Sequence, residues 1–451
     1  MASDLLSIGR SGALAARVAL DVTAQNIANA SSEGYVRRSV RLEEVSSSGG
    51  IGTIGDISLS GVRLDRVVRN ADLFRQAEVR RTGADAARAD AEVAGLENIE
   101  VAVEQSRVYD AMVKFEGSLQ QLVGDPTSSS LRANVIEDAR TMVGTFNIAA
   151  SALDSVGTGL RFEAGDAVSQ TNTLAQELAR VNLRLARAAD ATSDQTALLD
   201  QRDSLLQQLS AFADVSTAIS PADGTVEVRL GGASGEKLVS GGAAYQLGMT
   251  TAGNGTITFD VAGVAVAPAG GSLAGKALAL VKLADVHLKL DQVANAMASA
   301  VNAAQAAGVS LGGTAGAAVF GGSTATGFTA AGLTLSLTDG AGIAAAKAGE
   351  PAGSRDASNL NALRGALAAA DPTGRMDGLL FDISGTVAGR KVTRDALQTI
   401  AGNARVSLAA QAGVDLDGEA ANLIRFQQAF QASGKVMQTA KDIFDTLLAI
   451  R

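Results

Sequence analysis

The sequence predicts an α+β fold: an elongated, multi-domain chain whose two termini and central helices build a coiled-coil-like stalk, with a small β-rich outer domain inserted. Three observations predict it. Apolar residues recur every seven positions near both ends, at Leu6, Ala13, Leu20 and Ile27 and again at Leu416, Leu423, Phe430, Met437 and Phe444. Between Val215 and about 270 the texture changes to alternation of period two between glycine clusters. A chain of 451 residues also exceeds what one core sustains, so two or three domains are expected.

The elements follow in order. Residues 4–29 read as a helix with one apolar face, interrupted by Arg17 and Asp21. Ser31-Ser32-Glu33-Gly34 ends it, Gly34 being free to take positive φ. Val36, Val40 and Leu42 alternate as in a strand, and a hairpin-like excursion continues through Ile57-Ser58-Leu59 and Val62 to Val68. Helix resumes at Asp72 and runs to Phe212, broken at Gly124-Asp125-Pro126 because proline disfavours helical backbone in the residue before it. The runs 225–230 and 256–261 are strands, and helix returns over Lys276–Ala307. A Gly/Thr/Ala-rich section containing Leu333–Leu337 precedes helices at 356–370, 391–412 and 417–450. Three divisions are expected: a terminal helical domain of 1–35 with 413–451; a helical bundle with a hairpin of 36–214, 271–308 and 351–412; and a β-rich outer domain of 215–270 with 309–350.

The last helix carries the strongest signal. Phe426, Ala440 and Leu447 fill the seam of its heptad stripe, with Val436, Ile443 and Ile450 beside it. At about 1.5–3 kcal/mol per buried large side chain, such a stripe demands a cover. The matching stripe of the first helix can supply one, either within the chain or between neighbouring copies.

Composition excludes several classes. The 38 basic against 47 acidic residues leave a net charge of −9, which disfavours nucleic acid as a partner. Cysteine is absent, removing disulfides, zinc–thiolate sites and thiol nucleophiles. Met1–Leu6 lacks the basic and apolar regions of a cleavable secretion signal, and no stretch approaches 18 apolar residues, so no membrane span is expected. A cytoplasmic resident and the cargo of a signal-independent exporter both remain open.

Chemical motifs are sparse. Gly270–Ala277 nearly matches a phosphate-binding loop ending in Lys276, but Ala277 lacks the hydroxyl that holds magnesium; a turn and helix start is the competing reading. His287, the one histidine, has only Asp291 at a ligand-compatible helical spacing and Asp285 nearby. The serines lack a His–acid arrangement, so no catalytic, cofactor or metal residues are expected. Asp415 is read as a helix cap, and Arg37, Arg38 and Arg41 as charges on a solvated strand edge. A ligand-binding surface module in the β-rich part is a further alternative.

Ser11–Leu20, then Asn26-Ile27-Ala28-Asn29 and Gly34-Tyr35-Val36-Arg37, resemble the N-terminal signature of flagellar rod, hook and hook-associated proteins. Gly413–Asp417, Glu419–Leu423, Phe426–Ser433 and Phe444–Leu448 resemble the partner signature at the other end, although Gly418 stands where the family usually has an acid. Within that axial-protein superfamily, Leu198–Leu206 and Gly271–Gly275 are similar to the central helical part of the hook-associated FlgK family. The resemblance covers about 1–212, 271–308 and 385–451. It implies a non-enzymatic subunit of the hook–filament junction, outside the cell and exported without a cleavable signal. The implied partners are further copies of itself in a helical axial ring, hook protein, the other junction protein, flagellin, and an export chaperone on the C-terminal helix; no cofactor is implied. The assembly-interface residues it implies are Leu6, Leu20, Asn26, Ile27, Asn29, Gly34 and Tyr35 at one end and Leu423, Phe426, Phe430, Met437, Ile443, Phe444 and Leu447 at the other.

Overall fold

The computed structural model describes residues 2–32, 34–47, 58–188 and 193–449; Glu33, Ile57 and Ile450 lie outside them. The chain is α+β. Its elements are α1 (Ala2–Ala28), β1 (Arg38–Ser47), β2 (Ser58–Arg69), α2 (Leu73–Ser106), α3 (Val108–Gly124), α4 (Ser129–Leu185), α5 (Ser193–Phe212), β3 (Val215–Ile219), β4 (Val226–Leu230), β5 (Glu236–Ser240), β6 (Ala243–Ala244), β7 (Leu247–Thr251), β8 (Ile257–Val261), β9 (Val264–Val266), α6 (Gly271–Ala307), β10 (Gly308–Val309), β11 (Phe320–Gly321), β12 (Thr334–Leu335), β13 (Ala346–Lys347), α7 (Ser358–Ala370), α8 (Pro372–Ala412) and α9 (Leu416–Ala449). Contacts group the residues into two compact units. The terminal unit comprises Met1–Ala84, Thr171–Leu247 and Gln398–Arg451, and the middle unit Asp85–Gln170 and Gly248–Leu397.

In the terminal unit, α1 packs on α9 and on the antiparallel β1–β2 hairpin, whose register pairs Arg38 with Arg69 and shifts at two bulges. Gly34 takes φ +78° in the turn between α1 and the hairpin, as its place after a helix end predicts. The last turns of α4 and the face of α5 bury Leu178, Val181, Leu185, Leu205, Leu206 and Leu209. The sheet β3-β4-β5-β6 alternates as expected, with Val226, Val228 and Leu230 buried. It is tied to α4 by Asn182, whose amide donates to Val226 O (2.8 Å) and accepts from Val226 N (2.9 Å). Asn172 grips Leu247 in the same two-ended way, at 2.9 and 2.8 Å.

The middle unit has a helical core in which Phe115 meets Phe320 edge-on at 6.0 Å, with Met112, Leu119, Leu122, Met142 and Phe146 buried. The break at 124–126 is where proline predicts it. A second break, between α2 and α3, falls at Arg107, which takes φ 56° with no sequence signal. Helix α8 begins at Pro372, nineteen positions before the expected 391, the stretch having been obscured by Gly374, Gly378, Gly385 and Gly389. Proline is favoured at a helix's first position, and the left-handed Asp371 before it accepts from Gly374 N (3.1 Å). The β segments here are short ladders docked on helices: Asn302 bonds both N and O of Phe320, and Gln305 bonds Gly342 O and Ala344 N.

Candidate assembly interface

Helices α1 and α9 lie antiparallel. A Cβ at Gly9 would stand 2.7 Å from Met437 Cγ, and one at Gly12 would stand 2.8 Å from Ser433 Oγ, so the backbones approach closely where small residues allow it. Ala15, Ala16, Ala19 and Val22 of α1 and Ala440 of α9 are buried. At the other end of the pair, Asn26 is 1 % exposed and has both donors and both acceptor sites engaged. Its Nδ2 donates to Arg38 O (2.8 Å) and Glu419 Oε2 (3.1 Å), while Oδ1 accepts from Arg38 N (3.0 Å) and the Tyr35 hydroxyl (2.9 Å). Glu419, 2 % exposed, also takes the Arg37 guanidinium at 2.7 Å.

Beside this knot, Arg38 and Arg69 face each other across the β ladder, a repulsive pairing unless an anion lies between them. Asp200 of α5 does so, at 2.7 Å from Arg38 and 2.6 Å from Arg69. Asp203 holds Arg69 at 2.9 Å and accepts from Arg202 Nε (2.9 Å) and Gln76 (3.1 Å). Burial works to raise the Asp203 carboxyl, but Arg202 and Arg69 outweigh it and hold the carboxyl below its ordinary range. Burial pushes the Tyr35 phenol up.

One expectation changes here. Arg37 and Arg38 are not on a solvated edge: both are drawn into carboxylates, Arg37 to Glu419 of α9 and Arg38 to Asp200 of α5; Arg41, exposed and 3.8 Å from Asp65, fits the expectation. Tyr35 spends its hydroxyl inside the chain on Asn26.

The other residues named from sequence divide into two groups. Leu20, Asn29, Leu423, Phe426 and Met437 are half-buried, with Arg425 stacked over the Phe426 ring at 4.8 Å. Leu6 (48 %), Ile27, Phe430 (44 %), Ile443 and Phe444 (55 %) are exposed, joined by Leu14, Leu416 and Ile424, while Gly34 is an exposed turn. The backbone of Leu447 lies in α9, and its side chain is outside the described residues. The structure thus supplies a helix pair satisfied along one side and apolar where it meets solvent. Sequence reasoning missed Glu419, Arg69, Asp200, Arg202 and Asp203 as site residues. The available signal was a buried-phase polar residue on an otherwise apolar helix face, as in Leu198–Leu206. Asp415 caps α9 as expected, accepting from Asp417 N at 3.2 Å.

The alternative chemical readings meet their geometry in the middle unit. Gly271–Gly275 are the opening turns of α6, where a phosphate cradle needs a loop, and a Cβ at Gly275 would stand 2.8 Å from Ala91 Cβ. Lys276 Nζ lies 3.5 Å from Glu163. His287 Nε2 lies 3.6 Å from Asp154, Asp291 accepts from Ala330 N, and the described residues contain no group of three that could hold a metal.

Three family models match the chain. The flagellar hook-associated protein FlgK helical domain covers 94–320, the flagella basal body rod protein model covers 6–35, and the C-terminal model of basal body rod FlgEFG proteins covers 409–450. Flagellar hook-associated protein 1 of Bacillus subtilis is 26 % identical over 496 residues, spanning 98 % of this chain and 97 % of the relative. Its namesake in Salmonella typhimurium is 28 % identical over 250 residues, 54 % of this chain and 44 % of the relative. The solved flagellar hook junction protein FlgK from Burkholderia pseudomallei shares the fold, with a TM-score of 0.57 and 17 % identity over 74 % of this chain and all of that one. With the helical-domain model spanning half the chain and axial-protein models at both ends, this chain belongs to the FlgK family of flagellar hook-associated proteins.

Proposed function

We propose that the chain is a structural subunit of the hook–filament junction, an adaptor between hook and flagellin filament that filament assembly requires. The observation that carries this reading is the apolar surface left on α1 and α9, at Leu6, Leu14, Phe430, Ile443 and Phe444, in a chain whose relatives are named hook-associated protein 1. Contacts between non-equivalent surfaces of successive copies build an open helical tube, and burial of this surface is completed only on assembly. Residues 1–35 with 413–451 then serve assembly, 36–214, 271–308 and 351–412 form the helical body, and 215–270 with 309–350 form the outer part.

Copies of the chain, hook protein, the other junction protein and flagellin are the neighbours in this reading. A chaperone covers the α9 stripe before export, which proceeds without a cleavable signal to the outside of the cell. In this reading the chain is a structural subunit and not an enzyme, and the ion pairs and hydrogen bonds gathered at Asn26 and Asp200 hold the terminal unit together.

Deleting the gene and viewing cells by electron microscopy, with flagellin assayed in the medium, tests the role. Hooks without filaments and flagellin lost to the medium are expected. A rod or hook subunit, the reading favoured by the end models alone, predicts missing hooks, and intact filaments contradict both.

A further inference from the structure

The α1–α9 pair has a register that its apolar residues do not determine. Heptad stripes on both helices repeat every seven residues, so sliding α9 by seven returns apolar residues to apolar positions. Apart from Thr23 and Asn26, the buried side chains of α1 are those of Ala15, Ala16, Ala19 and Val22, and the close approaches are at Gly9 and Gly12, shallow features that a slide of two turns would reproduce. The observed register is nonetheless single, with Gly9 against Met437, Gly12 against Ser433 and Asn26 against Glu419.

We infer that Asn26, Glu419 and Arg37 form a register lock for the terminal helix pair. Glu419 is the polar residue of α9 placed opposite Asn26, and its two oxygens are divided between Asn26 Nδ2 and Arg37. A seven-residue slide replaces it with Phe426, stranding one amide donor of the buried Asn26 and leaving the half-exposed Arg37 guanidinium without its carboxylate. A single buried polar contact in an otherwise apolar helix pair is the device by which coiled coils choose among registers. Asn26 cannot be turned over to compensate, because its Oδ1 already accepts from Arg38 N and Tyr35. The lock rests on the proposed function only for its purpose: a slide of seven residues moves Phe430 and Phe444 by about 10 Å along α1 and presents a different surface to the next copy.

The chain has no cysteine, so engineered pairs report register directly. A Cβ at Gly12 lies 3.7 Å from Ser433 Cβ, within disulfide reach, so Gly12→Cys with Ser433→Cys marks the observed register. Gly12→Cys with Ala440→Cys marks the register seven residues away. In purified full-length protein under mild oxidation, the first pair should close at least about tenfold faster than the second, the factor expected of one buried charge-assisted hydrogen bond. Adding Asn26→Leu and Glu419→Leu should bring the two rates within about threefold. Unchanged preference for the first pair overturns the lock, as does equal closure of both pairs with Asn26 and Glu419 intact. Loss of both crosslinks in the leucine variant, with helix content read by circular dichroism, shows residues that hold the pair together instead of choosing its register, and also overturns it. No flagellum is needed, so the junction role and the lock can fail separately.

Discussion

Asn26 holds Arg38 by both sides of one peptide face, accepting from its N–H at 3.0 Å and donating to its C=O at 2.8 Å. Asn182 treats Val226, Asn172 treats Leu247 and Asn302 treats Phe320 in the same way. In each case a helix-borne amide bonds both backbone groups of a residue on a side where no strand pairs with it, which is how short strands are docked on long helices without stranding buried backbone groups.

Removing such an amide should be costly and local. Asn182→Ala leaves the N–H and C=O of Val226 unpaired in a buried site and is expected to destabilise the terminal unit by about 2–4 kcal/mol. Hydrogen exchange should show the Val226 amide losing protection first. Asn182→Asp should fare no better, since a carboxylate cannot donate to Val226 O.

Asp200 separates two opposed arginines. Asp200→Asn removes the anion and leaves Arg38 and Arg69 facing each other at 8 % and 7 % exposure. A loss of about 3–5 kcal/mol is expected, read by denaturant unfolding. Asp65→Asn, whose contacts with Arg41 and Arg66 are exposed, should change stability by less than about 1 kcal/mol.

Asp203 predicts the sign of an acid transition. Its folded carboxyl is held below the ordinary 3.8, so its contribution is present in full above that value and is lost as pH falls through the lower folded value. Stability measured between about pH 5 and about pH 2 should therefore fall less steeply in Asp203→Asn than in the unaltered protein, from a lower starting point.

Two of the non-glycine residues with left-handed backbone in the middle unit, Arg107 and Asp371, should respond oppositely. Arg107 takes φ 56° with an exposed side chain, so Arg107→Gly is expected to stabilise by up to about 1 kcal/mol. Asp371 takes φ 47° but caps α8 through Gly374 N, so Asp371→Ala keeps the strain, loses the cap and should cost about 1 kcal/mol. Thermal midpoints of the two variants decide it.

The long helices were legible because burial follows their apolar period, and the break at Pro126 because proline removes a donor and restricts its neighbour. The break at Arg107 was not, since tertiary packing holds an ordinary residue in left-handed backbone that no local rule anticipates; near Asp371 the helix end at 370 was readable, but the start of the next helix at Pro372 was not. At the interface, the heptads of Leu6 and Phe430 were readable as a stripe in need of cover. The knot was not: Glu419 meets Asn26 only because two helices 393 residues apart in sequence are antiparallel, and one-dimensional periodicity contains no partner information. The same limit hid the burial of Arg38 and the pairing of Arg37, which look like strand-edge charges until Asp200 of α5 and Glu419 of α9 are known to meet them.

The exposed stripe on α9 is the feature from which the junction role follows, and Phe430 lies at its middle. Replacing it should spare the fold, since the ring is 44 % exposed in the free chain. The decisive measurement is the fraction of hooks bearing filaments, by electron microscopy, in deletion cells supplied with Phe430→Asp. Hooks bare of filament, with the purified variant melting as the unaltered protein does, are the predicted result; filaments of normal number and length would contradict an assembly surface on α9.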